Sequence, residues 1–152
     1  MEKREIRQRM MDVEYARREL MRPYFIGLGL TIGQGQPRIL NTLLQHGGMT
    51  QRALAGACNL DAATLSRTLD RMEEAGLLVR APHASSRRAY VVELTARGGA
   101  VAGQVHRGFA ALDEVLCRGF TAEELEVLGT ALERMGRNLA ETERIDPDGG
   151  MR

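Results

Sequence analysis

Apolar positions recur along the chain at two spacings, and the change from one to the other marks out the elements. Ile6, Met10 and Val13 stand three or four apart in a charged stretch, Arg17 continues the spacing, and Leu20 and Met21 follow. That spacing predicts an amphipathic helix over residues 2–21. Pro23 and the glycines at 27, 29, 33 and 35 are expected to break it. A second helix is predicted from about Pro37, with Ile39, Leu40, Leu43 and Leu44 on one face and Gly47-Gly48 at its end. Thr50 can cap a short third helix, Gln51 to Cys58, whose Ala53, Leu54 and Ala57 form a small face to bury. After a tight connection at Asn59-Leu60, Asp61 caps a fourth helix that buries Leu65, Leu69 and Met72 and stops at Gly76.

Two short β-prone runs come next, Leu77-Leu78-Val79-Arg80 and Tyr90-Val91-Val92-Glu93-Leu94, with the tract HASSRRAY (83–90) between them. A hairpin is predicted, the tract forming its tip. Helical spacing returns after Thr95 and holds to about Cys117, through Val101, Val105, Phe109, Leu112 and Leu116. Gly98, Gly99, Gly103 and Gly108 weaken this helix by about 1 kcal/mol each relative to Ala where exposed, so packing must hold it. The last helix opens on Thr121-Ala122-Glu123-Glu124, a capping box, and continues through Leu125, Leu128, Leu132, Met135 and Leu139. The tail from Asp146 is expected to fray. The fold class that follows is mainly α with a small β-hairpin.

With 152 residues and 43% hydrophobic side chains, the chain can bury a real core. No long uncharged apolar run occurs and the N-terminus, MEKREIRQRM, is highly charged, so neither membrane insertion nor secretion is expected and the cytoplasm is the default address. Cys58 and Cys117 are too few for a disulfide scaffold and lack zinc-site spacing; both are read as small buried hydrophobes. The net charge of +1 conceals a gradient: residues 23–98 carry eight basic against five acidic side chains, and residues 99–152 six against ten. The mildly basic middle permits nucleic-acid binding without requiring it.

On the fourth helix, with Leu65, Leu69 and Met72 turned inward, Ala63, Arg67 and Asp70 face outward and Ser66 and Arg71 flank them. The outward N-terminal half is small and polar: Ala62, Ala63, Thr64, Ser66, Arg67. A helix entering the DNA major groove needs such a face, since small residues allow close approach while hydroxyls and a guanidinium reach phosphates and base edges. An ordinary amphipathic surface helix shows the same pattern, and Asp70, Glu73 and Glu74 would repel DNA if they lay near it. The order of parts favours the reader: three-helix core, tight turn, outward Ser and Arg, then a hairpin with Arg87 and Arg88 at its tip. A winged helix-turn-helix has that order, and its wing arginines can contact phosphate or a narrow minor groove.

The runs LDAATLSRTLDRMEEAGLLVRAP and SSRRAYVVELTARG resemble the MarR family of bacterial transcription regulators, across roughly residues 30–140. The resemblance is specific at Asp-x-x-Thr-x-Ser-Arg-x-x-Asp-Arg (61–71), Glu-x-x-Gly-Leu (73–77), Arg-Arg-Ala (87–89) and Leu-Thr-x-x-Gly (94–98). It implies a winged helix-turn-helix over residues 31–98, and a homodimer built by N- and C-terminal helices over 1–30 and 99–145, with 146–152 a flexible tail. It further implies a pseudo-palindromic double-stranded DNA operator, and repression relieved by a small phenolic or lipophilic anion or by oxidation. By position, Thr64, Ser66 and Arg67 would read the major groove, Gln51 would touch phosphate and Arg88 would be the wing-tip arginine; Ala63, Arg71 and Arg87 complete the expected DNA face. The family's wing carries Asp-x-Arg, and here Ser86 stands in place of the acid, so the charge-assisted brace for Arg88 is missing.

The terminal helices present apolar faces, to which Met10, Met11 and Met21 add, that suit burial in a second copy. Tyr24, Phe25, His46 and Phe109 are the candidate ligand-binding residues, although such residues more often serve a core, and His46 also suits a helix end. The oxidation-sensing branch of the family keeps a reactive cysteine near the N-terminus, and residues 1–30 contain none. His46, His83 and His106 have no metal-ligand spacing, and GLGLTIGQG (27–35) lacks the strand that a dinucleotide loop follows, so neither catalysis, nor a metal, nor a cofactor is expected. The rival reading is a dimeric ligand-binding or protein-interaction module whose DNA reading has weakened.

Overall fold

The computed structural model describes residues 1–151, the side chains of Ser86, Arg87 and Arg88 excepted. The elements follow in the order α1 (Lys3–Gly27), α2 (Gln36–His46), β1 (Met49–Thr50), α3 (Gln51–Cys58), α4 (Ala62–Glu74), β2 (Leu78–His83), β3 (Ser86–Leu94), α5 (Ala96–Leu116) and α6 (Ala122–Glu141). They divide into two compact units, residues 1–112 and 113–152.

In the first unit the caps anticipated from sequence form. The Thr50 hydroxyl accepts the Ala53 amide at 3.1 Å to start α3, and an Asp61 carboxylate oxygen accepts the Thr64 amide at 2.8 Å to start α4. Asn59 turns the chain between them with φ of 52°, a left-handed conformation that Asn tolerates better than most residues. Leu54, Leu65, Leu69 and Met72 are fully buried together with Ile39 and Leu40 of α2, and Leu78 and Val92 of the sheet close the same core. Thr95 joins the sheet to α5: its hydroxyl donates to the Gly76 carbonyl at 2.6 Å and accepts the Gly98 amide at 3.0 Å.

The antiparallel sheet has the order β1-β3-β2, one strand more than the predicted hairpin. Met49 pairs with Val92 and Thr50 with Val91, so β1 is too short to leave an alternation in the sequence. β2 and β3 pair from Leu78–Leu94 outward to His83–Ser86, which narrows the hairpin turn to Ala84-Ser85.

Several expectations are corrected. α1 does not break at Pro23 but runs through it to Gly27. Pro23 removes one helical N–H, yet Met21 and Phe25 on either side are both buried in the core, and that packing carries the helix across the lost bond. The buried face of α3 is Leu54 and Cys58, with Ala53 and Ala57 turned to solvent. Leu44 and Leu116 are exposed rather than packed, and Cys117 is exposed while Cys58 is buried. Burial raises the Cys58 thiol pKa, which opposes thiolate formation. Gly98 and Gly108 prove to be sites of close approach: a Cβ on Gly98 would overlap the Leu77 carbonyl, and one on Gly108 would overlap the Tyr24 ring.

In the second unit, the capping box of α6 forms as predicted, the Thr121 hydroxyl accepting the Glu124 amide and Glu124 accepting the Thr121 amide. No residue of α6 is buried. Residues 145 and 151 are bridged after the helix, and Arg144 pairs with Asp146 at 2.9 Å.

Candidate nucleic-acid interface

The buried ridge of α4, Leu65, Leu69 and Met72, fixes which side chains remain outside, and these divide into two flanks of opposite character. Thr64, Arg67 and Arg71 lie on one flank; Ser66, Asp70 and Glu73 lie on the other. On the acidic flank Arg80 of β2 reaches across, pairing with Glu73 at 2.8 Å and also with Asp70. The hydrogen bonds from Arg80 hold the Glu73 carboxyl below its ordinary range, and the same bonds raise the Arg80 guanidinium in turn. Arg80 therefore offsets one of the two acidic charges on this flank, which weakens the repulsion of a polyanion without cancelling it.

On the other flank Arg67 is exposed and, among the described residues, makes no hydrogen bond or ion pair; after the Thr64 hydrogen bonds its charge helps to lower the Asp61 pKa, and its guanidinium donors stay open to a partner. The Thr64 hydroxyl donates to Asp61 at 2.6 Å, which leaves it an acceptor and a methyl group for any ligand. This bond, followed by the Thr64 amide bond, lowers the Asp61 pKa, so the cap is ionised at neutral pH. Arg71 donates to the side-chain oxygen of Gln34, in the loop between α1 and α2. Thr68, between the flanks and the core, is buried and donates both to the Gln34 carbonyl at 3.1 Å and to the Thr64 carbonyl at 2.9 Å.

A concavity of about 460 Å³ opens where α3, α4 and β3 meet, lined by Gln51, Arg52, Ala62, Leu65, Ala89 and Tyr90 among others. It brings Gln51, the expected phosphate contact, beside the start of α4, and adds Arg52 and Tyr90, which the sequence reading passed over. Arg52 directly follows the predicted contact Gln51 and is exposed on the first turn of α3, a placement that the cap at Thr50 already implied. Ala63 is exposed and Ser66 half-buried, each on the outward half of α4. The expected wing contacts Arg87 and Arg88, and Ser86 in place of the acid, lie outside the described side chains.

Of the candidate ligand residues, Phe25 and Phe109 meet edge to face with ring centres 5.6 Å apart, and Tyr24 meets Phe25 at 5.9 Å. The Tyr24 hydroxyl donates to the Gln104 carbonyl of α5. His46 is exposed at the end of α2 and shares no ring contact with them. None of the four lines the concavity beside α4. Among the described residues, no cluster of three His, Cys, Asp or Glu could hold a metal ion, and no helix is long and apolar enough to cross a membrane.

Residues 32–90, which contain α2 through the start of β3, match the sequence model of the MarR family. Through this segment the chain resembles the MarR family. Its sheet and helix-turn-helix together make the winged helix architecture of that family. The whole chain is similar to the transcriptional regulator SlyA, at 26% identity over 90% of this chain and 94% of that one, with a TM-score of 0.80. It is similar also to a cysteine-to-serine mutant of MarR from E. coli complexed with operator DNA, at 26% identity over 84% of this chain and 91% of that one, with a TM-score of 0.73. A MarR protein from Peptoclostridium difficile shares the fold at 21% identity, with 88% and 86% covered and a TM-score of 0.79.

Proposed function

We propose that this chain is a sequence-specific DNA-binding transcriptional regulator of the MarR family, acting as a dimeric repressor whose affinity for DNA falls when a small phenolic or lipophilic anion binds. The observation that carries the reading is the division of α4: Asp70 and Glu73 are tied to Arg80, while Arg67 on the opposite flank is exposed and, among the described residues, makes no hydrogen bond or ion pair. In this reading Thr64, Ser66 and Arg67 face base edges with Ala63 allowing close approach, Gln51 and Arg71 touch phosphate, and Arg87 and Arg88 extend the contact along the duplex. Residues 31–98 are the reading head, 1–30 and 99–145 the dimerisation helices, and 146–152 a tail. The apolar residues left exposed on α1 and α6, among them Met10, Val13, Leu128 and Leu132, support burial in a second copy and hence a pseudo-palindromic operator. The Tyr24, Phe25 and Phe109 cluster supports an apolar wall for an effector, with His46 the least supported of the four candidates. The activity assigned is binding rather than catalysis, and the address follows the DNA into the cytoplasm.

Titration of the purified protein with duplex from its own upstream region and with a scrambled duplex, in rising salt, tests the reading. A regulator holds its preference for the upstream duplex at physiological salt, by about a thousandfold or more. Equal, steeply salt-dependent binding of both duplexes would instead support the ligand-binding or interaction module.

A further inference from the structure

The α1–α2 loop carries glycines of positive φ at 29, 33 and 35, yet it is pinned to α4 at one residue. Gln34 accepts the Thr68 hydroxyl on its backbone carbonyl and Arg71 on its side-chain carbonyl. Two arginines bound to or near α4, Arg71 and Arg80, are thus held in opposite ways. Arg80 is fixed by two carboxylates, which more than offset its charge. Arg71 is fixed by a neutral amide, so it is ordered and still fully cationic. Among the described residues it has no carboxylate within ion-pair distance, and it stands one turn from Arg67 on the same flank, where two like charges repel each other. An arrangement that orders a cation without neutralising it, beside a second cation, suits an anion supplied from outside.

We propose that Gln34 is a positioning residue for DNA binding: it presents the Arg71 guanidinium to a phosphate of the duplex backbone at the edge of the groove that α4 enters. This rests on the DNA-binding reading above and assigns to the α1–α2 loop a part in it. One amide bond uses one of the five guanidinium donors and leaves the rest for phosphate oxygens. Pre-ordering lowers the rotamer freedom lost when DNA binds. A phosphate contact carries no sequence information, so the contribution is the same for every duplex and appears in the salt dependence.

The test uses the full chain with the upstream and scrambled duplexes, comparing Arg71→Ala, Gln34→Ala, Gln34→Glu and Arg67→Ala. Arg71→Ala is expected to weaken binding to both duplexes equally and to reduce the slope of log affinity against log salt by about 1 per reading head. Gln34→Ala weakens binding less, and combined with Arg71→Ala adds nothing further, because the two act as one unit. Gln34→Glu is decisive. A carboxylate holds Arg71 more firmly and neutralises it, so this variant keeps or raises the melting temperature and yet lowers affinity and slope as Arg71→Ala does. If the bond merely staples loop to helix, Gln34→Glu binds DNA as the parent does, and the inference is overturned. Loss of duplex discrimination in Arg67→Ala alongside unchanged Arg71→Ala and Gln34→Glu would overturn the inference while leaving the function standing. A parent protein that fails to discriminate the duplexes at all would overturn both.

Discussion

α4 and α6 are both amphipathic in sequence, with leucines at helical spacing, and the chain treats them in opposite ways. Leu65, Leu69 and Met72 of α4 are fully buried, whereas Leu128 and Leu132 of α6 are nearly half exposed and no residue of α6 is buried. Periodicity thus specifies that a face will be covered, not by which chain. α4 joins a core shared with α1, α2, α3, α5 and the sheet; α6 keeps a face that, on the reading given above, a second copy covers.

The contrast is broken most severely by truncation inside the head. Leu69→Ala is expected to lose about 2–5 kcal/mol of stability in denaturant unfolding, through lost burial and the cavity left behind. Leu132→Asp in α6 should leave the helical content of the head intact and shift sedimentation toward the monomer; a dimer that survived it would remove α6 from the interface. Gly98→Ala comes next. Its methyl group would overlap the Leu77 carbonyl, where α5 meets the base of the hairpin, so a loss of about 3 kcal/mol is expected at the upper end of overpacking costs. Melting near the parent temperature would mean that α5 shifts to accommodate it.

Effects at the surface are smaller. Arg80→Ala releases Asp70 and Glu73 to face phosphate, and a repulsion of about 1 kcal/mol corresponds to about fivefold weaker binding of any duplex, with little change in melting. Unaltered affinity would show that the acidic flank stays clear of DNA. The smallest effect belongs to α1, where the hydrogen bond from Arg17 holds the Glu14 carboxyl down at about 2. Because this pKa lies below the ordinary value of 4.5, the stabilisation is complete above pH 4.5 and is lost as the pH falls through about 2. Both partners are partly solvated, so about 1 kcal/mol or less is involved. Melting curves over that pH window should differ between the parent and Glu14→Gln, and coincident curves would deny the pair any role.

What the sequence made legible follows the same division. Caps at Thr50, Asp61 and Thr121 and the inward ridge of α4 are local, and each is written in adjacent residues. The passage of α1 through Pro23 is not, because it depends on Phe25 reaching a core assembled from distant segments. The exposure of Cys117 and the two-residue strand β1 likewise depend on partners remote in the chain. At the interface, outward Thr64, Ser66 and Arg67 could be read from the helical repeat. The pairing of Arg80 with Asp70 and Glu73 could not, since it depends on β2 lying across α4. Gln34 carried no signal, being a polar residue in a glycine-rich loop.

The central claim, that the outward flank of α4 reads DNA through Arg67, is tested most directly by measuring the affinity ratio between the upstream and scrambled duplexes for the parent chain and for Arg67→Ala. The account predicts that the ratio falls by about 1–3 kcal/mol, roughly fivefold to 150-fold, while fold and dimer persist. A ratio unchanged by the substitution would contradict it.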